Sequence, residues 1–287
     1  MRTAKEMFDL ILGTAENDER VRAVYMNGSR ANPSVEKDRW RDYDIVYVVT
    51  ETASFLEDTG WIVVFGEAAI VQQPDSNDFG WGIDHDFSRS YGWLILLMDG
   101  SRIDLRIMTL QAALEEYTSD TLTVPLLDKD RILPPIPPSN DCGYWVRKPT
   151  RQQYDGCCNE FWWCLNNVAK GIVRDQLPYA MRIYIQVVHV ELDHMLEWYV
   201  GLQHQFQIST GKWGKYLKKY LPADWYDSLT HTYADGSYEH LWDAIFTACE
   251  LFRLAAGQVG DSLGFSYNRQ DDENMMRYLQ AMRSGEI

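Results

Sequence analysis

Two aspartates separated by one residue, Asp42-Tyr43-Asp44, open an apolar run and carry the most specific chemistry in this chain. On a strand, side chains at i and i+2 leave the same face. A hard divalent cation such as Mg2+ takes a few carboxylate oxygens of this kind and completes its octahedron with water and phosphate oxygens. Upstream, Gly28-Ser29-Arg30 follows another apolar run. A glycine there lets backbone N–H groups approach phosphate closely, and the serine hydroxyl adds a donor. Gly28, Ser29 and Arg30 are therefore candidate nucleotide contacts. Transfer to a hydroxyl needs a third carboxylate, either as a ligand to a second metal or as a base. Asp104, set between Ile103 and Leu105, supplies it.

The elements that must position these residues read as short strands mixed with helices. Arg22 to Met26, Asp44 to Thr50, Trp61 to Phe65, Trp93 to Met98 and Arg102 to Met108 are rich in Val, Ile, Tyr and Trp, which favours strand. Asp99-Gly100 between the last two is a type I′ hairpin signal, so these strands should pair antiparallel. Ile103, Leu105 and Ile107 alternate with Arg102, Asp104 and Arg106. One face is core, and Asp104 lies on the other.

After Leu133 to Ser139, with four prolines in seven residues, the texture changes. Proline at that density forbids helix and makes a stiff, extended connector. Beyond it, apolar positions recur at helical spacing over Arg151 to Asp175, Tyr179 to Leu202, Trp213 to Tyr220 and Tyr238 to Gly257, with Pro178 and Pro222 near helix starts. The expected fold is α/β in the α+β sense: a mixed-sheet domain over residues 1–138, then an α-helical bundle over 139–287. A chain of 287 residues can hold two such cores.

The helical half offers further candidates, each with a plain alternative. Lys212 and Lys215 share a face if their segment is helical and are candidate phosphate contacts, whereas Lys218 and Lys219 read as an ordinary solvated end. Glu160 and Glu191 interrupt apolar stripes, where a carboxylate needs a partner. That partner is either a cationic group of a substrate or an internal arginine such as Arg174 or Arg182. His189 and His194, five apart, sit about 140° around a helix and cannot chelate one ion as an i, i+4 pair does; both read as structural. Trp162-Trp163 reads as packing, and the five cysteines, which match no metal or redox spacing, as buried thiols.

A net charge of −15 argues against nucleic acid as a partner and for a cationic one. No apolar run approaches the roughly 20 residues of a bilayer span, and the first ten residues resemble an amphipathic helix rather than a secretory signal, so a cytoplasmic protein with no membrane partner is expected.

The order strand, Gly-Ser, spacer, Asp-x-Asp, strand, then a single strand-borne Asp resembles the nucleotidyltransferase superfamily of the polymerase-β type. Gly28-Ser29-Arg30-Ala31-Asn32, Arg41-Asp42-Tyr43-Asp44-Ile45, Ile103-Asp104-Leu105, Val146-Arg147-Lys148-Pro149, Tyr154-Asp155, Cys157-Cys158-Asn159-Glu160-Phe161-Trp162 and Gly211-Lys212 look like the streptomycin (aminoglycoside 6-) adenylyltransferases. The resemblance implies AMP transfer from ATP to a hydroxyl of streptomycin with release of pyrophosphate. It makes Asp42 and Asp44 magnesium ligands, Asp104 the third catalytic carboxylate, and Gly28 to Arg30 part of the nucleotide site. The alternatives are another aminoglycoside or a protein hydroxyl as acceptor, or a non-catalytic nucleotide-binding protein. Oligomeric state is not legible.

Overall fold

The computed structural model describes residues 2–287, which form two compact units, one ending at Gly143 and the other spanning Tyr144–Ile287. The first contains α1 (Ala4–Asn17), β1 (Val21–Met26), α2 (Gly28–Ala31), β2 (Tyr43–Val49), α3 (Ala53–Glu57), β3 (Ala68–Gln72), α4 (Pro74–Gly80), β4 (Ser90–Leu97), β5 (Arg102–Thr109), α5 (Leu110–Tyr117) and β6 (Val124–Asp128). Its described strands make one six-stranded sheet in the order β3-β4-β5-β2-β1-β6. β2 and β5 run parallel, and the other neighbours are antiparallel. This is a mixed sheet.

Both faces follow from strand alternation. α1 begins at a Thr3–Glu6 capping box and buries Met7, Ile11 and Ala15, spaced by four, against Tyr43, Ile45, Tyr47, Ile103, Leu105 and Ile107. On the other face, α5 lays Ala112, Ala113 and Tyr117 over Tyr25, Val46, Val48 and Met108. That second core begins on β2 only at Val46. Asp44, one alternation earlier on the same side, lies beyond its edge, so the sheet face is open where the carboxylates emerge.

Four of the five expected strands are present; Trp61 to Phe65 is not one. Thr59–Phe65 forms a 3-10 helix in which Trp61 packs edge-on against Phe55, Phe65 and Trp93 at centroid distances of 5.1, 6.0 and 5.3 Å. Trp61 and Phe65 turn inward while Val63, which strand alternation would place on their face, is 66% exposed, so the segment does not follow a period of two. β3 and β6 went unread because both are sheet edges: β3 is largely exposed, and β6 contains Pro125, which only an edge tolerates. The β4–β5 hairpin is antiparallel as expected, but its turn is not type I′. The Gly100 N–H donates to the Leu97 carbonyl at 2.9 Å, and Gly100 has φ +83° while Asp99 stays out of the left-handed region. Met98 and Asp99 are thus the central turn residues, with a left-handed glycine after them, the three-residue hairpin pattern.

The second unit is helical: α6 (Arg151–Val173), α7 (Leu177–Ile183), α8 (His189–Gln203), α9 (Leu217–Tyr220), α10 (Ala223–His231), α11 (Tyr238–Leu263) and α12 (Arg269–Ser284). A Thr150–Gln153 capping box starts α6, and Phe161 on it stacks on Phe252 of α11 at 3.8 Å. One π turn, Tyr184–Val188, carries α7 into α8. Trp213 to Tyr220 is not a continuous helix, because Gly211, Trp213 and Gly214 all have positive φ. No helix among the described residues is long and apolar enough to cross a membrane.

The unit is tied by Asp272, 3% exposed, which accepts from Arg253 Nε and Nη2 at 2.6 Å each and from the Tyr267 hydroxyl at 3.0 Å. Asp272→Ala is expected to cost about 2 kcal/mol, less than a fully buried pair because the Arg253 guanidinium keeps contact with solvent. The shift of the urea midpoint at constant slope measures it.

Candidate active site

The site begins where β1 ends. The Asn27 N–H donates to the Asp44 carbonyl at 3.0 Å, and the chain then turns through Gly28 at φ +71° into α2. A Cβ on Gly28 would lie 2.3 Å from Asp44 Oδ2. Only glycine accepts both the left-handed conformation and a carboxylate packed on its Cα. Ser29 follows in the short helix, its carbonyl accepting from Arg41 Nη1 at 3.1 Å. Arg30 lies over the Tyr43 ring at 3.6 Å and donates to the carbonyls of Asp42 (3.0 Å) and Arg41 (2.7 Å). Those donors shape the segment that presents Asp42, which is the role the structure displays for Arg30.

Asp44 and Asp104 are directly paired in the parallel β2–β5 register, so both leave the same face of the sheet. Asp42 immediately precedes β2. Arg102 binds this group: Nε and Nη2 each reach Asp104 at 2.7 Å, and Nη1 stands 3.4 Å from Asp42 Oδ2. One guanidinium does not neutralise three carboxylates. The Asp44 carboxyl is pushed up to about 6 by burial first, then by the charges of Asp104 and Asp42, against the opposing pull of Arg102 and Arg30.

Among the described residues no three His, Cys, Asp or Glu side chains close into a ready metal cage. Arg102 lies against two of the three aspartates. The donor set nevertheless fits Mg2+: all-oxygen, anionic and carrying more negative charge than its arginine offsets. Asp44 and Asp104 face a cleft of about 620 Å³ whose lining also includes Asn27, Asp75, Gly92 and Arg106.

In the second unit, Lys212 begins a single 3-10 turn, Lys212–Gly214, and the left-handed Trp213 removes the shared helical face expected for Lys212 and Lys215. Their ammonium groups lie over Trp213 (4.5 Å) and Tyr216 (5.2 Å). Glu160 is exposed rather than buried, and accepts from Cys164 Sγ at 3.3 Å. Its residue sits on the flank of the stripe, so no internal arginine is needed. Glu191 is half-buried with His194 Nδ1 3.4 Å away, a partner within its own helix instead of Arg174 or Arg182. His189 is buried, its Nε2 3.1 Å from the Thr232 carbonyl, a structural residue as read. Trp162 is core, donating to the Tyr267 hydroxyl at 3.0 Å, whereas Trp163 is 64% exposed. Four cysteines are buried and Cys142 is exposed.

Residues not singled out beforehand include Arg102, Asp75 and Asp193. Arg102 was legible as the i−2 neighbour of Asp104 on one strand face. Asp75 carried no local signal, because a loop and a helix bring it to the cleft. The Asp193 carboxyl is pushed up to about 6 by burial and then Glu197, opposed by His194.

The family model for streptomycin adenylyltransferase matches residues 1–282. Among curated proteins, the chain is 36% identical to an aminoglycoside 6-adenylyltransferase of Campylobacter jejuni, over 95% of this chain and 93% of that one. It is 34% identical to an aminoglycoside 6-adenylyltransferase of Bacillus subtilis (strain 168), over 98% of both. Among solved structures, the crystal structure of an aminoglycoside 6-adenyltransferase from Bacillus subtilis covers 99% of each chain at 31% identity, with a TM-score of 0.48.

Proposed function

The chain belongs to the streptomycin adenylyltransferase family, and from that premise we propose that it is a cytoplasmic, magnesium-dependent enzyme moving AMP from ATP to a hydroxyl of an aminoglycoside, with streptomycin and its 6-position as the preferred acceptor. The observation that carries this reading is the in-register pairing of Asp44 with Asp104 on an open sheet face, with Gly28 packed against the Asp44 carboxylate.

Asp42, Asp44 and Asp104 would hold Mg2+, which when bound offsets phosphate charge and aligns the triphosphate. At Gly28 no side chain intervenes, so the backbone there approaches the phosphates closely, and the Ser29 hydroxyl adds a donor. Arg30 supports this by holding the Arg41–Asp42 backbone in place. Arg102, held against Asp104 and within reach of Asp42, supplies a positive charge beside the triphosphate. In the second unit, Lys212 and Lys215 are proposed phosphate contacts, and Glu160 and Glu191 proposed partners for the acceptor's guanidinium groups, which carboxylates bind through forked, charge-assisted hydrogen bonds. A chain of net charge −15 suits such a cation and repels nucleic acid.

Incubation with ATP, Mg2+ and a panel of aminoglycosides tests this. Streptomycin is expected to gain one adenylyl group, the mass of AMP less one water, with stoichiometric pyrophosphate, and EDTA to stop the reaction. Adenylylation of some other panel member, with streptomycin untouched, would move the acceptor assignment. No product from any acceptor would end the reading.

A further inference from the structure

Asp75 lines the same cleft as Asp44 and Asp104, from the β4 side. It sits in the first turn of α4, and its Oδ2 accepts the Gly92 N–H at 2.7 Å. A Cβ on Gly92 would stand 3.4 Å from that oxygen and 3.9 Å from Pro74 Cγ. The missing side chain therefore leaves room beside the carboxylate. Gly92 and Leu94 share a strand face, and Leu94 is directly opposite Asp104. Asp75 thus stands beside β4 at the level of Gly92 and lines the cleft that Asp44 and Asp104 also line, with Gly92 displaced from Leu94 by about 7 Å along the strand at a rise of ~3.4 Å per residue.

Behind it, His85 is held between two carboxylates, with Nδ1 3.6 Å from Asp75 Oδ1 and Nε2 3.6 Å from Asp78 Oδ2. His85 Nε2 is buried and makes no hydrogen bond. By contrast, both oxygens of Asp104 are engaged by Arg102. A base for the acceptor has to stand off the metal-binding group yet within the cleft, and Asp75 meets both conditions.

Resting on the adenylyl-transfer reading above, we propose that Asp75 is the base that takes the proton from the acceptor hydroxyl, with His85 as its positioning residue. The acceptor O–H bond breaks and its proton goes to the Asp75 carboxylate. The freed oxygen forms a bond to the α-phosphorus of ATP, whose bond to the α–β bridging oxygen breaks, and pyrophosphate leaves with that electron pair. Asp44, Asp104, Arg106, Glu116 and Asp120 share the cleft with Asp75, and His85 and Asp78 flank it.

The test compares full-length wild type, Asp75→Asn and His85→Gln in steady-state AMP transfer across pH. Asn keeps an oxygen to accept the Gly92 N–H, so the fold should persist, which the thermal midpoint checks. Asp75→Asn is expected to lower kcat at least ~100-fold, the lower range for a lost general base, with the KM for ATP within threefold of wild type. It should also flatten the acidic limb of the kcat profile. His85→Gln should lower kcat about fivefold and displace that limb, which loss of packing alone would not do. Asp75→Asn within threefold of wild type in kcat, or with nucleotide binding lost in proportion to activity, overturns the assignment. A wild type that transfers AMP to no acceptor overturns the adenylyl-transfer reading instead, and with it this role.

Discussion

Asp104→Asn is expected to lower kcat/KM by at least ~10³, about 4 kcal/mol of transition-state stabilisation, while making the stability of the metal-free protein less dependent on pH. The two effects share one cause. Asp104 faces Asp44 in register, and its charge, after burial, is the largest reason the Asp44 carboxyl is pushed up to about 6. Asn keeps the shape and removes the charge, so a metal loses a ligand and Asp44 loses a repulsive neighbour. The sign for pH follows from linkage. Because the folded-state value lies above the ordinary 3.8, the native protein binds more protons than the unfolded chain between these limits, and stability falls as pH rises through that window. Above about 6 the full penalty applies, of the order of 3 kcal/mol. Raising the pH from 4 to 7 should therefore cost wild type more stability than Asp44→Asn, which cannot ionise, with Asp104→Asn between them. Chemical denaturation in EDTA at the two pH values measures this, alongside pyrophosphate release with Mg2+. An Asp104→Asn protein that turns over like wild type would remove Asp104 from the mechanism.

Gly28→Ala should be nearly as damaging to activity, through geometry rather than charge. At φ +71° an alanine costs roughly 1 kcal/mol or more in backbone strain. Its methyl would also meet Asp44 Oδ2 at 2.3 Å, so the carboxylate or the turn has to move. A shift on the scale of 1 Å in a group that positions reactants costs about 10²-fold in rate. The expected result is a kcat at least ~100-fold down, a thermal midpoint lowered by a few degrees, and a far-ultraviolet spectrum close to wild type. Activity within threefold of wild type would show that the Asp44 position is not constrained by the glycine.

Local pattern carried a large part of this molecule. Alternation of Ile103, Leu105 and Ile107 with Arg102, Asp104 and Arg106 identified β5 and the face bearing Asp104, because strand side chains have a period of two whatever lies around them. In the second unit α6, α8 and α11 were readable for the same reason at a period near 3.6, whereas α12 was not read. Where local and tertiary demands diverged, the pattern misled. Trp61 to Phe65 has strand composition but folds as a 3-10 helix to bury its aromatics. Lys212 and Lys215 have helical spacing but lie in a segment bent by left-handed residues. Glu160 falls on the exposed flank of its stripe, a rotation of a few tens of degrees that spacing does not resolve.

The sequence by itself marked the candidate side chains: Gly28, Asp42, Asp44 and Asp104 stand out by residue type and by spacing within single strands and turns. Only the tertiary structure decided that β2 lies parallel to β5 with Asp44 opposite Asp104, that Arg102 clasps the group, and that Asp75 reaches the cleft beside Gly92. The physical reason is range. Side-chain direction within a strand is set by the backbone over two or three residues, whereas the partner of a strand and the register it adopts are set by cores assembled from segments far apart in the chain.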